Sequence, residues 1–126
     1  MLPIANAPIV IADRQTFSGV SSFSTPVPIS YWFPGSDWTL SLLVAASFNG
    51  VALVALEDSC DNFVSDIQTV ATVNLEGAIN PPCDVAYSWR SRELPSFRVG
   101  HAGAEARVSV TSPSSACAVT LSATIK

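Results

Sequence analysis

The C-terminal stretch of the chain is written with a period of two. Cys117, Val119, Leu121, Ala123 and Ile125 alternate with Ala118, Thr120, Ser122 and Thr124. Successive side chains of a strand point to opposite faces, so this spacing makes one apolar face and one face mostly of Thr and Ser. Such a ribbon has to bury its apolar face against another sheet. The same alternation runs through Trp38, Leu40, Leu42, Val44, Ala46 and Phe48, and again through Ile67, Thr69, Ala71, Val73 and Leu75. Val51 to Glu57 is apolar on both faces, the pattern of a central strand.

Further strands are expected at Val85–Arg90, at Ser96–Val99 after Pro95, at Arg107–Thr111 and at Ala118–Ile125. Together these give seven to nine short strands roughly 8–12 residues apart, the spacing of a β-sandwich. No twelve-residue window carries a helical stripe. Single turns near Asp61–Asp66 and Ser91–Leu94 are the only helical candidates. The expected fold is all-β: one antiparallel β-sandwich, immunoglobulin-like or jelly-roll in type, with an extended Pro-rich N-terminal arm.

Turn chemistry suggests how neighbouring strands connect. Asn49-Gly50 lies between two apolar runs, and a type I′ hairpin turn needs positive φ at both positions. A hairpin is therefore expected there. It competes with a membrane span, because Trp38 to Leu56 holds no charge and is long enough to cross a bilayer. Asn49-Gly50 at its centre and the lack of a basic flank favour the hairpin. Ser112-Pro113-Ser114-Ser115 is expected to join the last two strands as a closing hairpin.

Residues 1–36 differ from the remainder, 37–126, which is taken as the sandwich domain. Pro3, Pro8, Pro26, Pro28 and Pro34 punctuate them, and proline cannot donate to a sheet ladder. They read as an arm with edge strands. Within it, Ile9, Val10 and Ile11 form an apolar cluster, and Tyr31, Trp32 and Phe33 stand beside Pro34-Gly35. The aromatic trio suits either a lid on the core or a surface for a neighbouring subunit, where rigid aromatics are enriched. Ile9, Val10, Ile11, Tyr31, Trp32 and Phe33 are the candidate partner-contact residues. Fully extended, about thirty residues reach on the order of 100 Å, enough to cross onto a neighbouring subunit; deleting residues 1–30 is expected to abolish that attachment while leaving a folded sandwich.

With 126 residues, 48% of them apolar and 13% charged, the chain has the size of one domain and about half the usual share of charge. A net charge of −4 argues against nucleic acid as a direct partner, since phosphate binding draws on clustered Lys and Arg. Four of the six basic residues fall between Arg90 and Arg107, which leaves a local basic patch open. Cys60, Cys83 and Cys117 lack the pairing and the histidines of a zinc site. They read as three reduced, largely buried thiols, with one disulfide and a free thiol as the alternative. No secretion signal is expected, because the N-terminus lacks a positive region and Pro3 and Pro8 interrupt its apolar stretch.

Chemistry is sparse. His101 sits between Gly100 and Ala102 with no Ser-His-Asp or Cys-His motif around it. Glu57, Asp58, Asp61 and Asp66 could offer oxygen ligands to calcium, but their spacing does not match a calcium-binding helix-loop-helix. There is no phosphate-cradling glycine loop and no dinucleotide fingerprint. The expectation is no catalytic, cofactor-binding or metal-ligating residue. In Trp89 to Val99, Phe97 and Val99 should point inward, and Arg98 should reach solvent or pair with a carboxylate.

The run from Trp38 to Ile125 resembles small β-sandwich domains of tailed-bacteriophage virion proteins, among them capsid decoration and related head or tail proteins. The elements that carry the likeness are Trp38-Thr-Leu-Ser-Leu, Val51-Ala-Leu-Val-Ala-Leu-Glu57, Leu94-Pro-Ser-Phe-Arg98-Val99 and the pair Val108-Ser-Val-Thr with Val119-Thr-Leu. The Asp58-Ser-Cys-Asp-Asn-Phe63 loop departs from the pattern, where a Trp often follows an Asp-Gly turn. The resemblance implies a non-enzymatic virion component, made in the host cytoplasm. It implies a homo-oligomer that binds the major capsid protein or its own copies, with no membrane and no nucleic-acid contact. The alternative is a tail or fibre component, or an immunoglobulin-like module recognising a host-surface glycan or protein. A coat protein of a small RNA phage matches in size, but such proteins are basic on their RNA-binding sheet and end in helices.

Overall fold

Nine strands account for the regular structure in the computed structural model, which describes residues 6–46, 51–75, 83–113 and 117–126. They are β1 (Ile9–Ser18), β2 (Ser21–Phe23), β3 (Val27–Pro28), β4 (Thr39–Val44), β5 (Ala52–Ser59), β6 (Gln68–Leu75), β7 (Val85–Arg90), β8 (Glu105–Thr111) and β9 (Ala118–Ile125), with one 3₁₀ turn at Ser91–Glu93. Every pairing is antiparallel. The first sheet runs β1-β9-β4-β7; the second runs β2-β8-β5-β6, with β3 sharing the outer edge of β8. The two sheets pack together as a β-sandwich.

The period-two faces meet in the middle. Leu40, Leu42, Val44, Val119, Leu121, Ala123 and Ile125 of the first sheet are at most 1% exposed, as are Val54, Leu56, Ala106 and Val108 of the second. Each fully buried Leu, Ile or Val contributes about 1.5–3 kcal/mol through removal of apolar surface from water. β5 lies between β6 and β8, as its two-sided apolar writing predicts.

Two expected hairpins are not hairpins. β4 pairs with β7 and β9, whereas β5 pairs with β6 and β8. The chain therefore crosses from one sheet to the other between β4 and β5; Asn49-Gly50 lies outside the described residues. β8 and β9 likewise belong to opposite sheets, so the expected closing hairpin is a second crossover. Alternation tells which face of a strand is buried, but both sheets bury a face on the same core. Ser96–Val99 is also not a strand. The Phe97 amide donates to Leu94 O at 3.1 Å in a turn, and the Arg98 amide donates to the Asp58 carboxylate, so no ladder forms.

Residues 9–32 are built into the sandwich. β1 forms one edge of the first sheet and β2 with β3 one edge of the second. Ile9, Ile11, Ala12, Phe17, Ile29 and Trp32 all enter the common core. Both Ile11 and Ala12 face inward because the register of β1 against β9 shifts twice, between Val10 and Ala12 and between Ala12 and Gln15. The extra residues of such a bulge break a period of two. Residues 9–32 and the rest of the described sandwich thus share one core.

Candidate functional site

Strand polarity gathers three loops at one end of the sandwich. β3 ends, β4 begins, β5 ends, β6 begins, β7 ends and β8 begins there, as the pairs Pro28–Glu105, Thr39–Arg90, Ser59–Glu105 and Asp58–Gln68 show. The loops 29–38, 60–67 and 91–104 therefore share this end. Gly100 N donates to Ile29 O at 2.8 Å and Ile29 N to Ala104 O at 3.0 Å, which stitches the first loop to the third. Gly100 has φ +84°, and a Cβ there would stand 2.9 Å from Trp32 O; only glycine lets these backbones come so close.

Arg98 holds the second and third loops together. Its Nη2 donates to Asp58 Oδ1 at 2.7 Å and its Nη1 to Asp66 Oδ2 at 2.7 Å. Its own amide donates to Asp58 Oδ2 at 2.9 Å. The Asp58 side chain is fully buried. Gln68 Nε2 donates to both Asp58 oxygens and, at 2.7 Å, to Ser96 O. A buried carboxylate with this many donors avoids the cost of an unpaired buried charge. Asp58 above all, then Asp66, pushes the Arg98 pKa further up, so the guanidinium stays charged.

Asp61 organises the loop between β5 and β6. Its carboxylate accepts from Ser59 Oγ, Ser65 Oγ and the amides of Val64, Ser65 and Asp66. Ser59 Oγ in turn accepts from the amides of Asp61 and Phe63. Asn62 and Phe63 both adopt left-handed backbone, with φ 59° and 60°. The Ser65 hydroxyl, helped by Ser59 and the Ser65 and Asp66 amides, holds the Asp61 carboxyl well below the usual carboxylate range. Asp66 is lowered by its hydrogen bond from Arg98 and then by the Cys60 amide.

On the outer face of the second sheet, Arg107 is stacked between two aromatic rings. Its guanidinium carbon lies 4.2 Å from the Phe23 ring centre and 4.1 Å from that of Phe63. Arg107 Nε donates to Glu57 Oε1 at 2.9 Å. The four acidic residues weighed as calcium ligands are therefore engaged by the protein itself: Glu57 by Arg107, Asp58 and Asp66 by Arg98, and Asp61 by its loop. Among the described residues no group of His, Cys, Asp and Glu is placed to hold a metal ion.

Arg98 and Arg107 are thus neutralised, and the basic patch left open by the sequence shrinks to Arg90 and Arg92. These line a cavity of about 320 Å³ with Lys126, Asp37 and Trp38. Asp37 accepts from Ser91 Oγ at 3.3 Å, and Lys126 O accepts from the Thr39 amide. His101 is exposed in the third loop, and its amide donates to Arg98 O. Cys60 and Cys83 are exposed and Cys117 is buried, all three as free thiols; the expectation of largely buried thiols holds only for Cys117.

The candidate contact residues divide. Ile9, Ile11 and Trp32 are at most 4% exposed and are spent on the core. Val10, Tyr31 and Phe33 are 51%, 54% and 64% exposed and remain open to a partner. Val64 and Ile67, 80% and 48% exposed on the second loop, join Tyr31 and Phe33 at the same end of the sandwich; the alternation places Ile67 on the apolar face of a strand, but β6 begins only at Gln68. Val64 follows the polar run Asp58–Asn62, and only the Asp61 scaffold shows that it projects outward. No helix among the described residues is long and apolar enough to cross a membrane.

Comparison with known proteins finds no matching family model, no matching curated protein and no matching solved structure.

Proposed function

We propose that this chain is a non-enzymatic structural protein of a tailed-bacteriophage virion, a capsid decoration or cement subunit that binds the capsid lattice and stabilises it. The observation that carries this reading is the loop-bearing end. Four large apolar residues, Tyr31, Phe33, Val64 and Ile67, stand exposed there on loops clamped by Arg98, Asp61 and Gly100. A rigid, preorganised apolar surface loses little entropy on docking to another protein. The ionised side chains that clamp these loops, Arg98, Asp58, Asp61 and Asp66, are paired within the chain, which suits a contact surface better than a reaction centre. The resemblance of the Trp38–Ile125 run points the same reading towards a virion. Binding only to the assembled shell would stabilise that shell by mass action.

The second reading is a tail or fibre component, or a module recognising a host-surface glycan or protein. It draws on the same exposed aromatics. It is weaker for glycans, because Trp89 is half-buried and the carboxylates of the 57–66 loop are already engaged.

Imaging of intact particles, with copy number by quantitative mass spectrometry, decides between them. Uniform copies over the head support decoration. A few copies at one vertex move the protein to a connector, tail or fibre, and absence from particles overturns the virion reading. The double variant Tyr31→Ala, Phe33→Ala should lose particle binding while its thermal midpoint stays close to that of the parent.

A further inference from the structure

The four sheet edges of the sandwich are not alike. An unpaired edge strand templates pairing with another chain unless it is short, bulged, charged or interrupted by proline. β1 follows Pro8, carries two register shifts, and exposes Asp13 and Arg14 beside them. β2 and β3 are three and two residues long, with Pro26 and Pro28 at their junction. β7 has six residues, bounded by the exposed Asp84 and Arg90. β6 carries only one of these devices, a register shift at its N-terminal end. It is eight residues long, Gln-Thr-Val-Ala-Thr-Val-Asn-Leu, without proline, glycine or charge. Its one irregularity, opposite Leu56 and Glu57, leaves Ala71 to Leu75 in regular register with β5. Among the described residues no strand lies on its other side.

We infer that β6 is a self-association edge, pairing antiparallel with β6 of a second copy about a two-fold axis, so that the two second sheets become one continuous sheet. A two-fold contact sets a surface against itself, so it favours a strand whose side chains tolerate their own kind. A pairing centred on Val73 meets this condition throughout Ala71–Leu75. Val73 faces Val73 of the second copy, Ala71 faces its Leu75, and Thr72 faces its Asn74. The first two pairs are apolar and lie on the core side; the third is polar and lies on the outer side, as the burial pattern of β6 requires. Like charges never meet, whereas in most strands self-pairing risks setting like charges opposite one another. Ala71 and Val73 keep 8% and 7% exposure, against 0–1% for Ala52, Val54 and Leu56 on the neighbouring β5. They mark the margin of the core that a second copy would close. A lateral contact of this kind leaves the loop-bearing end free, and it stands whether or not the protein belongs to a virion.

The full chain should sediment as a dimer across the concentrations reached in purification. The double variant Thr72→Lys, Asn74→Lys puts like charges across the two-fold and should weaken dimerisation about tenfold or more, with its far-ultraviolet circular dichroism unchanged. The double variant Thr72→Glu, Asn74→Glu should do the same alone. Mixing the two should restore a dimer containing one copy of each. A monomeric parent, or a dimer indifferent to both variants, overturns the inference. So does failure of the mixture to pair when each variant is folded. Particle binding is read in a separate experiment, so loss of one conclusion does not remove the other.

Discussion

Asp58 is fully buried, and the Arg98 guanidinium that reaches it at 2.7 Å also grips Asp66 at 2.7 Å. Asp58 is the last residue but one of the central strand β5, Asp66 precedes the edge strand β6, and Arg98 belongs to the loop leading to β8. One cation therefore ties three segments of the second sheet together at the end that carries the exposed aromatics.

Removing Arg98 alone should be costly. Arg98→Ala leaves the Asp58 charge buried without its ion partner, a change that typically costs about 3–5 kcal/mol. Replacing both partners, Asp58→Leu with Arg98→Met, removes the charge as well and should cost clearly less. Denaturant unfolding of the three proteins measures this. Equal losses in the single and the double variant would show that the pair contributes geometry rather than charge compensation.

Acid should loosen the loop end before the core. The Asp61 and Asp66 carboxyls are lowered in the folded state, so the folded form binds its protons less readily than the unfolded chain does. The stability they supply is complete above the unfolded carboxylate value of about 4 and is lost as pH falls through their folded values. The thermal midpoint should thus lose their contribution only below about pH 4. Asp61→Asn should lower it at neutral pH and flatten its acid slope. An unchanged slope in that variant would remove Asp61 from the account.

The Arg107 stack separates shape from charge. Arg107→Lys keeps the cation beside Glu57 but loses the flat guanidinium between Phe23 and Phe63, and should cost about 0.5–2 kcal/mol. Phe23→Leu in the Arg107→Lys background should then cost less than in the parent, since the stacking partner is already gone. A double-mutant cycle by chemical denaturation reads the coupling.

Truncation tests the role of the N-terminal segment. Deleting residues 1–30 removes β1, β2 and β3 along with the buried Ile9, Ile11, Phe17 and Ile29, and should abolish cooperative unfolding. Phe17→Ala alone, at a site 2% exposed, should cost about 3–5 kcal/mol. A truncated protein with a sharp thermal transition would return the segment to the status of an arm.

The fold was legible where burial is one-sided and regular. Ala118–Ile125 and Trp38–Val44 show their inner faces in the residue order itself, because each strand lies flat on the core through its length. β1 was not legible beyond Ile9–Ile11, since the bulges near Asp13 and Arg14 put Ile11 and Ala12 on the same side. Partner choice was hidden for a different reason. β4 and β5 each bury an apolar face, and a crossover between sheets needs the same two apolar runs and intervening turn as a hairpin does. At the loop end, Arg98 was open to pairing with a carboxylate, but its partner Asp58 lies forty positions away. Asp58 and Asp66 read as free oxygen ligands until the turn at Leu94–Phe97 brings the Arg98 amide and guanidinium to them. Nothing in the order of residues could mark Gly100 as the place where loops 29–38 and 91–104 touch.

The position of β9 has a consequence for how the molecule is made. It is the last of the nine strands to be synthesised, yet it lies inside the first sheet, between β1 and β4. Until it emerges, β1 has no neighbour in that sheet, and β4 has only β7. A nascent chain must therefore carry Ile9, Phe17, Leu40 and Leu42 without the ribbon that covers them, and the sheet closes in a single late step. Long-range pairing of this kind is slow, and it exposes apolar surface while it waits. Premature termination before Cys117 would leave no shortened sandwich, only an open one with two strand edges seeking a partner.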